Sequence, residues 1–143
     1  GAKGVRMLAQ VLQGGSDSAC ALRTLLLGRN TLGDGGARAL CASLCSNDVL
    51  IELALDANGV GADGAEAVAD MLRTNHTLRA LVLAGNDLGV SGGRVLDALH
   101  GNNTLTQLDM RDTALGRSAQ RLAPLLTANS TLRSFNGVVF RLG

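Results

Sequence analysis

The 143-residue chain has almost no aromatic side chains: Phe135 and Phe140 are its two phenylalanines, and it has neither Trp nor Tyr. It has one proline, two histidines and a formal net charge of +1. Because bases stack on aromatic rings, a single-stranded nucleic acid is not an expected partner. A near-neutral charge also gives no bulk attraction for a polyanion. The scarcity of histidine leaves few candidates for general acid–base catalysis.

Other absences bear on the cellular setting. The three cysteines are an odd number without the spacing of a disulfide framework, which predicts a reducing, cytoplasmic location. No run approaches the roughly 18 apolar residues of a membrane helix, and no signal-peptide pattern opens the sequence. Hydrophobic residues make up 46% of the chain, which is too many for a disordered protein. We therefore predict one folded domain with no membrane partner.

Glycine is abundant, at 19 residues, and much of it belongs to an internal repeat. The repeats share the pattern LxxLxLxxNxLGxxGAxxLAxxLxxN. Complete copies span residues 22–49, 50–77, 78–104 and 105–131, with partial copies at 1–21 and 132–143. The first partial copy matches only the helical half, and the last stops before its helix. Since a free-standing solenoid needs polar caps, we predict a slice of a longer solenoid with neighbouring repeats at both ends.

Each copy combines two periodicities. Leu25 and Leu27 alternate with outward positions, as in a strand with one buried face. Ala37, Leu40 and Leu44 recur at spacings of three and four, the apolar stripe of a helix. Strands pack about 4.8 Å apart, whereas helices need about 8–10 Å, so a stack of such units must bend. We predict an α/β horseshoe segment with parallel strands on the concave face and helices on the convex face.

The same periodicity extends to the fourth copy, where Ala119, Leu122 and Leu126 predict the buried stripe of its helix. Pro124 lies inside that helix and is expected to kink or shorten it.

Two sets of asparagines mark the joints of the repeat. One set follows the strands and is predicted to enter the interior, bonded to neighbouring backbone: Asn30, Asn58 and Asn86. The other lies at the helix ends, where a left-handed backbone is expected to stop each helix: Asn47, Asn75, Asn102 and Asn129. The last three begin N-x-S/T sequences, which we interpret as helix stops rather than sugar acceptors. Thr113 and Phe140 replace the first asparagine in the final copies, which predicts a weaker ladder there.

These motifs resemble ribonuclease-inhibitor-type leucine-rich repeats over essentially the whole chain. The chain is similar to the sensor regions of nucleotide-binding leucine-rich-repeat (NLR-like) receptors of innate immunity, and more loosely to Ran GTPase-activating proteins and tropomodulins. The resemblance implies a non-enzymatic, intracellular module that binds a protein or senses a ligand, in a receptor or a scaffold. It also implies an alternative, GTPase activation, in which Arg29 or Arg111 would stabilise phosphoryl charge.

The outward strand positions and the turns after them form the candidate binding surface. Copies one to three present small or apolar groups and copy four a polar cluster, like the apolar centre and polar rim of an interface. The predicted partner-binding residues are Leu26, Arg29, Glu52, Asp56, Val82, Gln107, Asp109, Arg111 and Asp112. The alternative is a mixed surface that binds nothing.

Other chemistry has weaker support in the sequence. Cys41 and Cys45 have the i, i+4 spacing of two metal ligands, but no third ligand lies near them in sequence, and we interpret Cys41 as a packing residue. No catalytic residue, metal or cofactor is predicted. Arginines recur before alternate strands, a spaced basic column whose nucleic-acid binding would fall steeply with salt: Arg23, Arg79 and Arg133.

Overall fold

The structure of the protein is a computed structural model that describes residues 2–13 and 21–140. Strands and helices alternate along the chain. The helices are α1 (Ala2–Leu12), α2 (Gly33–Leu44), α3 (Ala62–Thr74), α4 (Gly92–Ala98) and α5 (Leu122–Ala128). The strands are β1 (Thr24–Leu26), β2 (Glu52–Ala54), β3 (Ala80–Val82), β4 (Gln107–Asp109), β5 (Ser134–Phe135) and β6 (Val138–Val139). Short 3-10 turns at Gly89–Ser91 and Gly116–Arg121 precede α4 and α5.

Strands β1 to β5 form one parallel sheet in chain order, and β6 adds an antiparallel strand at its end. Successive helices pack side by side, α1 on α2, α2 on α3 and α3 on α4. The prediction of an α/β solenoid with parallel strands on one face and helices on the other is confirmed.

The core lies between the sheet and the helices. Leu53, Leu81 and Leu108 point inward from β2, β3 and β4 and are at most 2% exposed. Leu40 and Leu72 meet this layer from the helices and are completely buried. Burying one such side chain contributes about 1.5–3 kcal/mol, so the repeated leucines supply most of the driving force for stacking.

The asparagines at the helix ends join neighbouring repeats. The Asn75 Nδ2 donates to the carbonyl oxygens of Leu44 and Asn47, at 2.8 and 3.0 Å, in the preceding repeat. Its Oδ1 accepts from the amide N–H groups of Thr77 and Leu78, at 2.9 and 2.8 Å. One buried side chain therefore satisfies backbone groups from two repeats, as buried polar groups require.

Asn102 and Asn129 make the same kind of bridge, with Nδ2 donating to the carbonyl oxygens of Leu72 and Leu99 at 2.8 and 2.6 Å. The predicted left-handed backbone at these positions is wrong. The backbone is extended, with φ −81° and ψ 125° at Asn75 and φ −89° and ψ 114° at Asn129. The chain leaves the helix directly because the side-chain amide, rather than a left-handed residue, bonds the carbonyl groups at the helix end.

The asparagines after the strands form a second ladder. The Asn58 Oδ1 accepts from the Asn30 N–H at 2.9 Å, and the Asn58 Nδ2 donates to the Leu27 carbonyl at 2.8 Å. The Asn86 Oδ1 accepts in turn from the Asn58 N–H at 2.9 Å. Both side chains are buried, as predicted, but that of Asn30 is exposed. In the fourth copy the Thr113 hydroxyl instead donates to a carbonyl of its own repeat, which ends the ladder.

Close contact between repeats also explains why residue 64 is a glycine. The Asp34 Oδ1 in α2 accepts from the N–H groups of Gly61 and Gly64 at 2.6 and 2.9 Å, so it caps the start of α3 from the preceding repeat. A Cβ on Gly64 would lie 2.4 Å from Val60 Cγ1 and 2.7 Å from that carboxylate oxygen. Only glycine lets the two repeats approach this closely.

The helical half of the fourth copy differs from prediction. Pro124 is the third residue of α5, within a first turn whose N–H groups have no intrahelical acceptor. The preceding residues form a 3-10 turn, and α5 is only seven residues long. The predicted stripe is wrong in detail: Ala119 is exposed, Leu122 and Leu126 are half-buried, and Leu125 is completely buried. The change from α to 3-10 winding rotates the side chains relative to the uniform helix assumed from the periodicity.

The last copy closes the sheet with a hairpin. Asn136 and Gly137 have φ values of 51° and 80°, as a two-residue hairpin turn requires. Strand β6 therefore runs antiparallel to β5 instead of continuing the parallel series.

Charged side chains pair across the exposed helix faces. Arg38 Nη2 lies 3.0 Å from Asp63 Oδ2, and Arg94 Nε lies 3.3 Å from Glu66 Oε1. All four side chains are well exposed, so each pair contributes less than about 1 kcal/mol.

None of the described helices is long and apolar enough to cross a membrane.

Replacing Asn102 by Ala should lower the free energy of unfolding by about 2–4 kcal/mol, because buried backbone groups of two repeats lose their partners. Urea denaturation followed by circular dichroism measures this change. The neighbouring Asn103 is exposed, and Asn103→Ala should cost less than about 0.5 kcal/mol. Equal losses in the two variants would show that the asparagine bridge does not stabilise the stack.

Candidate functional site

The register of the parallel strands arranges the outward side chains in two rows across the sheet. The first row is Thr24, Glu52, Ala80, Gln107 and Ser134. The second row is Leu26, Ala54, Val82 and Asp109. Five of the predicted binding residues thus lie on one face of the sheet, although they are far apart in sequence.

The other four predicted residues lie in the turns that follow the strands. Asp56 and Arg111 come first in these turns, and Arg29 and Asp112 occupy a later, equivalent position. Arg29 and Asp112 have φ values of 61° and 54°, and Ala57 and Gly85 share the position with 50° and 68°. The turn therefore keeps one backbone conformation whichever residue occupies it. Hydrogen bonds between turns, such as Arg29 N–H to the Asp56 carbonyl at 2.8 Å, hold it in place.

The second row begins with an apolar strip. Leu26 is 65% exposed, Val82 is half-buried, and Ala54 between them is only 8% exposed. An exposed leucine at one end of a strip of small side chains is a feature that a partner can cover.

Asp109 and Arg111 form a two-point ion pair in the polar part of the face. Arg111 Nε lies 3.0 Å from Asp109 Oδ1, and Arg111 Nη2 lies 2.6 Å from Oδ2. The hydrogen bond from the Arg111 side chain lowers the pKa of Asp109, an effect larger than that of its partial burial. The same pairing raises the pKa of Arg111. The carboxylate is therefore held ionised, and the Arg111 side chain stays 62% exposed.

A shallow depression of about 180 Å³ lies above Ala80 in the middle of the first row. Its wall includes Glu52 from β2, Gln107 from β4 and Ser134 from β5, and Val82 and Asp109 from the second row also line it. The depression exists because a small side chain stands between longer ones. Ala80 and Ser134 are not among the binding residues predicted from the sequence. The depression has one signal in the sequence: Ala80 occupies the repeat position that Glu52 and Gln107 occupy in the copies before and after it.

The comparisons with known proteins agree with this architecture. Residues 19–41 and 74–96 match the profile of the family described as Leucine Rich repeat. No curated protein sequence gives a significant match. These two segments of the chain therefore match leucine-rich repeats.

Three solved structures share the fold. Leiomodin-1 actin-binding site 2 is 24% identical, with a TM-score of 0.77 over 94% of this chain and 78% of that one. The Caenorhabditis elegans tropomodulin C-terminal domain is 15% identical, with a TM-score of 0.81 over 96% of this chain and 84% of that one. The Mex67 leucine-rich-repeat domain from Chaetomium thermophilum is 18% identical, with a TM-score of 0.60 over 83% of each chain. These similarities define a leucine-rich-repeat fold.

The two described cysteines differ sharply in environment. Cys41 lies in the core at 1% exposure, and burial, with a contribution from Cys45, raises its pKa to about 12. Cys45 is exposed. Cys20 lies outside the described residues. Within residues 2–13 and 21–140, no group of three or more His, Cys, Asp or Glu side chains is placed to hold a metal ion.

Replacing Arg111 by Gln should raise the pKa of Asp109 towards its ordinary value, because the ionised carboxylate loses its guanidinium partner. Carboxyl-carbon NMR titration measures the pKa of Asp109.

A lowered pKa in the folded state stabilises the fold above the pKa of the unfolded chain, and this contribution disappears as the pH falls below about 4. Arg111→Gln should therefore lose less stability over that range. Asp112→Asn leaves the pair intact and should keep the low pKa of Asp109; an unchanged Asp109 pKa in Arg111→Gln would contradict the pairing.

Iodoacetamide at pH 8 should alkylate Cys45 in the folded protein and leave Cys41 unmodified, because the thiolate is the nucleophile and burial keeps the Cys41 thiol protonated. Peptide mass spectrometry of a Cys20→Ser variant, with and without urea, measures both sites. Both cysteines should react once the chain is unfolded. Equal reaction of the two thiols without urea would be inconsistent with a packed Cys41.

Proposed function

We propose that this leucine-rich-repeat chain is a non-catalytic module that binds a protein partner, or senses a ligand, through the outward face of its sheet. The observation that carries the proposal is the alignment of Leu26, Val82 and Asp109 in one row of parallel strands. The row leads from an exposed apolar side chain to a charged pair. This combination supports an interface with an apolar centre and a polar rim.

The Asp109–Arg111 pair suits recognition of a partner. Arginine is enriched among the residues that dominate binding energies, and its planar guanidinium gives directional hydrogen bonds. Asp109 accepts hydrogen bonds from Nε and Nη2 of Arg111, so the Nη1 donors of Arg111 stay available to a partner. Ordering the side chain before binding lowers the entropy that association loses.

The cellular setting that we propose is the ligand-sensing arm of a cytoplasmic NLR-like receptor or a scaffold, with further repeats extending the same face. Asp56 and Asp112 in the turns, with Gln107 on β4, would widen the polar rim. The alternative, GTPase activation, would use Arg29 or Arg111. A GTP-hydrolysis assay with Ran and other small GTPases tests it, and rates at the intrinsic level would eliminate it.

Actin binding is a second candidate, favoured by one observation. Leiomodin-1 actin-binding site 2 superposes on 94% of this chain, with a TM-score of 0.77. Co-sedimentation with actin filaments, and a competition assay on actin monomers, test whether the shared fold extends to a shared partner. Failure to bind either form would reject actin and leave the general proposal standing.

Exchanging the charges of the ion pair, with Asp109→Arg and Arg111→Asp together, should remove most partners of the full-length protein in a proximity-labelling experiment. The exchange keeps the two charges within reach of each other but inverts the pattern that a partner meets, and unfavourable charge contacts at an interface cost several kcal/mol.

The matched control is the exchange of Arg38 and Asp63, an exposed ion pair that joins α2 and α3 on the helix face. This variant should keep the wild-type partners. If both exchanges give the wild-type labelling profile, the outward face of the sheet is not the binding surface. If both abolish labelling equally, the effect belongs to folding and the proposed face is again unsupported.

A further inference from the structure

We propose that the depression above Ala80 binds a lysine side chain presented by the protein partner. This inference rests on the proposed function and specifies the chemistry that the face recognises. Three properties of the depression lead to it: its size, its apolar floor and the polar groups around its rim.

The size indicates a single side chain rather than a cofactor. The depression holds about 180 Å³, whereas pockets for small-molecule ligands and cofactors usually hold about 300–1,000 Å³. Its apolar lining includes the side chains of Ala80 and Val82, whereas the side chain of Leu81 between them points into the core. A flexible methylene stem can lie along such a floor while its charged end reaches polar groups.

The rim supplies acceptors with unused capacity. The carboxylate of Glu52, the side-chain amide of Gln107 and the hydroxyl of Ser134 have no hydrogen-bond or ion-pair partners within the described parts of the chain. Glu52 and Ser134 are half-buried and Gln107 is exposed, so all three can be reached from the open side. A lysine ammonium has three donors and no acceptor, so it can donate to Glu52 and Gln107, which flank Ala80 on the two neighbouring strands.

The carboxylates around the depression favour a cationic side chain. Glu52 carries a carboxylate without a cationic partner among the described residues, and Asp109 adds a second carboxylate on the opposite wall. Asp109 already binds Arg111 through both oxygens, so Glu52 supplies most of the free negative charge. An anionic or purely apolar side chain would leave that carboxylate unpaired beneath the partner, at a considerable cost in binding energy.

The test is a ¹H–¹⁵N NMR titration of the chain with Nα-acetyl-lysine amide, compared with Nα-acetyl-norleucine amide, which keeps the stem without the ammonium. The lysine compound should shift the amide signals of Ala80, Gln107 and Ser134 saturably and bind about tenfold more tightly, since hydrogen bonds to a charged group discriminate by at least that factor. Nα-acetyl-arginine amide should bind more weakly than the lysine compound.

Two variants and one control test whether binding depends on Glu52 and on the space above Ala80. Glu52→Gln preserves shape and should weaken binding of the lysine compound about tenfold, and Ala80→Leu should fill the depression and abolish binding. Asn103→Ala changes an exposed residue outside the sheet and should leave binding unchanged. Equal binding of the lysine and norleucine compounds, tighter binding of the arginine compound, no localised shifts, or full binding by Glu52→Gln would each overturn the proposal.

The outcomes also separate this inference from the proposed function. Partner loss after the Asp109 and Arg111 exchange, without lysine binding, would leave the face as an interface and reject the lysine site. Lysine binding with an unchanged set of partners would support the site and reject the face as the route to those partners.

Discussion

The hydrogen-bonded asparagine between neighbouring repeats is the interaction on which the rest of this structure depends. A stack of strands and helices buries carbonyl groups at every helix end and N–H groups in every connecting segment, and neither can be left unpaired in an apolar core. Asn75 pairs both kinds of group with a single amide. The same amide joins one repeat to the one before it. The hydrogen bonds that pair the buried backbone groups therefore also fix the spacing of the repeats.

This spacing carries through to the candidate site. Because each repeat is held at the same offset, Glu52, Ala80 and Gln107 are register partners on three successive strands. The alignment of the outward row is therefore a consequence of the buried asparagine ladder. The side chains in that row can differ from copy to copy. The depression arises where a small residue follows a large one along that row, with no change in the backbone.

The fourth and fifth copies show what happens where the pattern is broken. Thr113 has no amide group with which to bridge two repeats, and the helix of the same copy, which contains Pro124, is only seven residues long. The chain after β5 turns back as a hairpin at Asn136 and Gly137 rather than continuing the parallel series. The polar part of the outward face, with Asp109 and Arg111, lies beside this less regular end of the sheet.

The sequence alone determined the solenoid, its sheet face and the burial of Asn58 and Asn86, because a repeated pattern of leucines and asparagines has few other ways to bury both. It also predicted which side chains would share the outward face. The tertiary structure decided the rest: the extended backbone at Asn75, the 3-10 winding before α5, the Asp109–Arg111 pair and the depression above Ala80. The bridge made by Asn75 and the depression depend on distances between residues about 27 positions apart, and the Asp109–Arg111 pair depends on how the chain turns after β4. Periodicity orders these residues along the chain but does not give the distances between them.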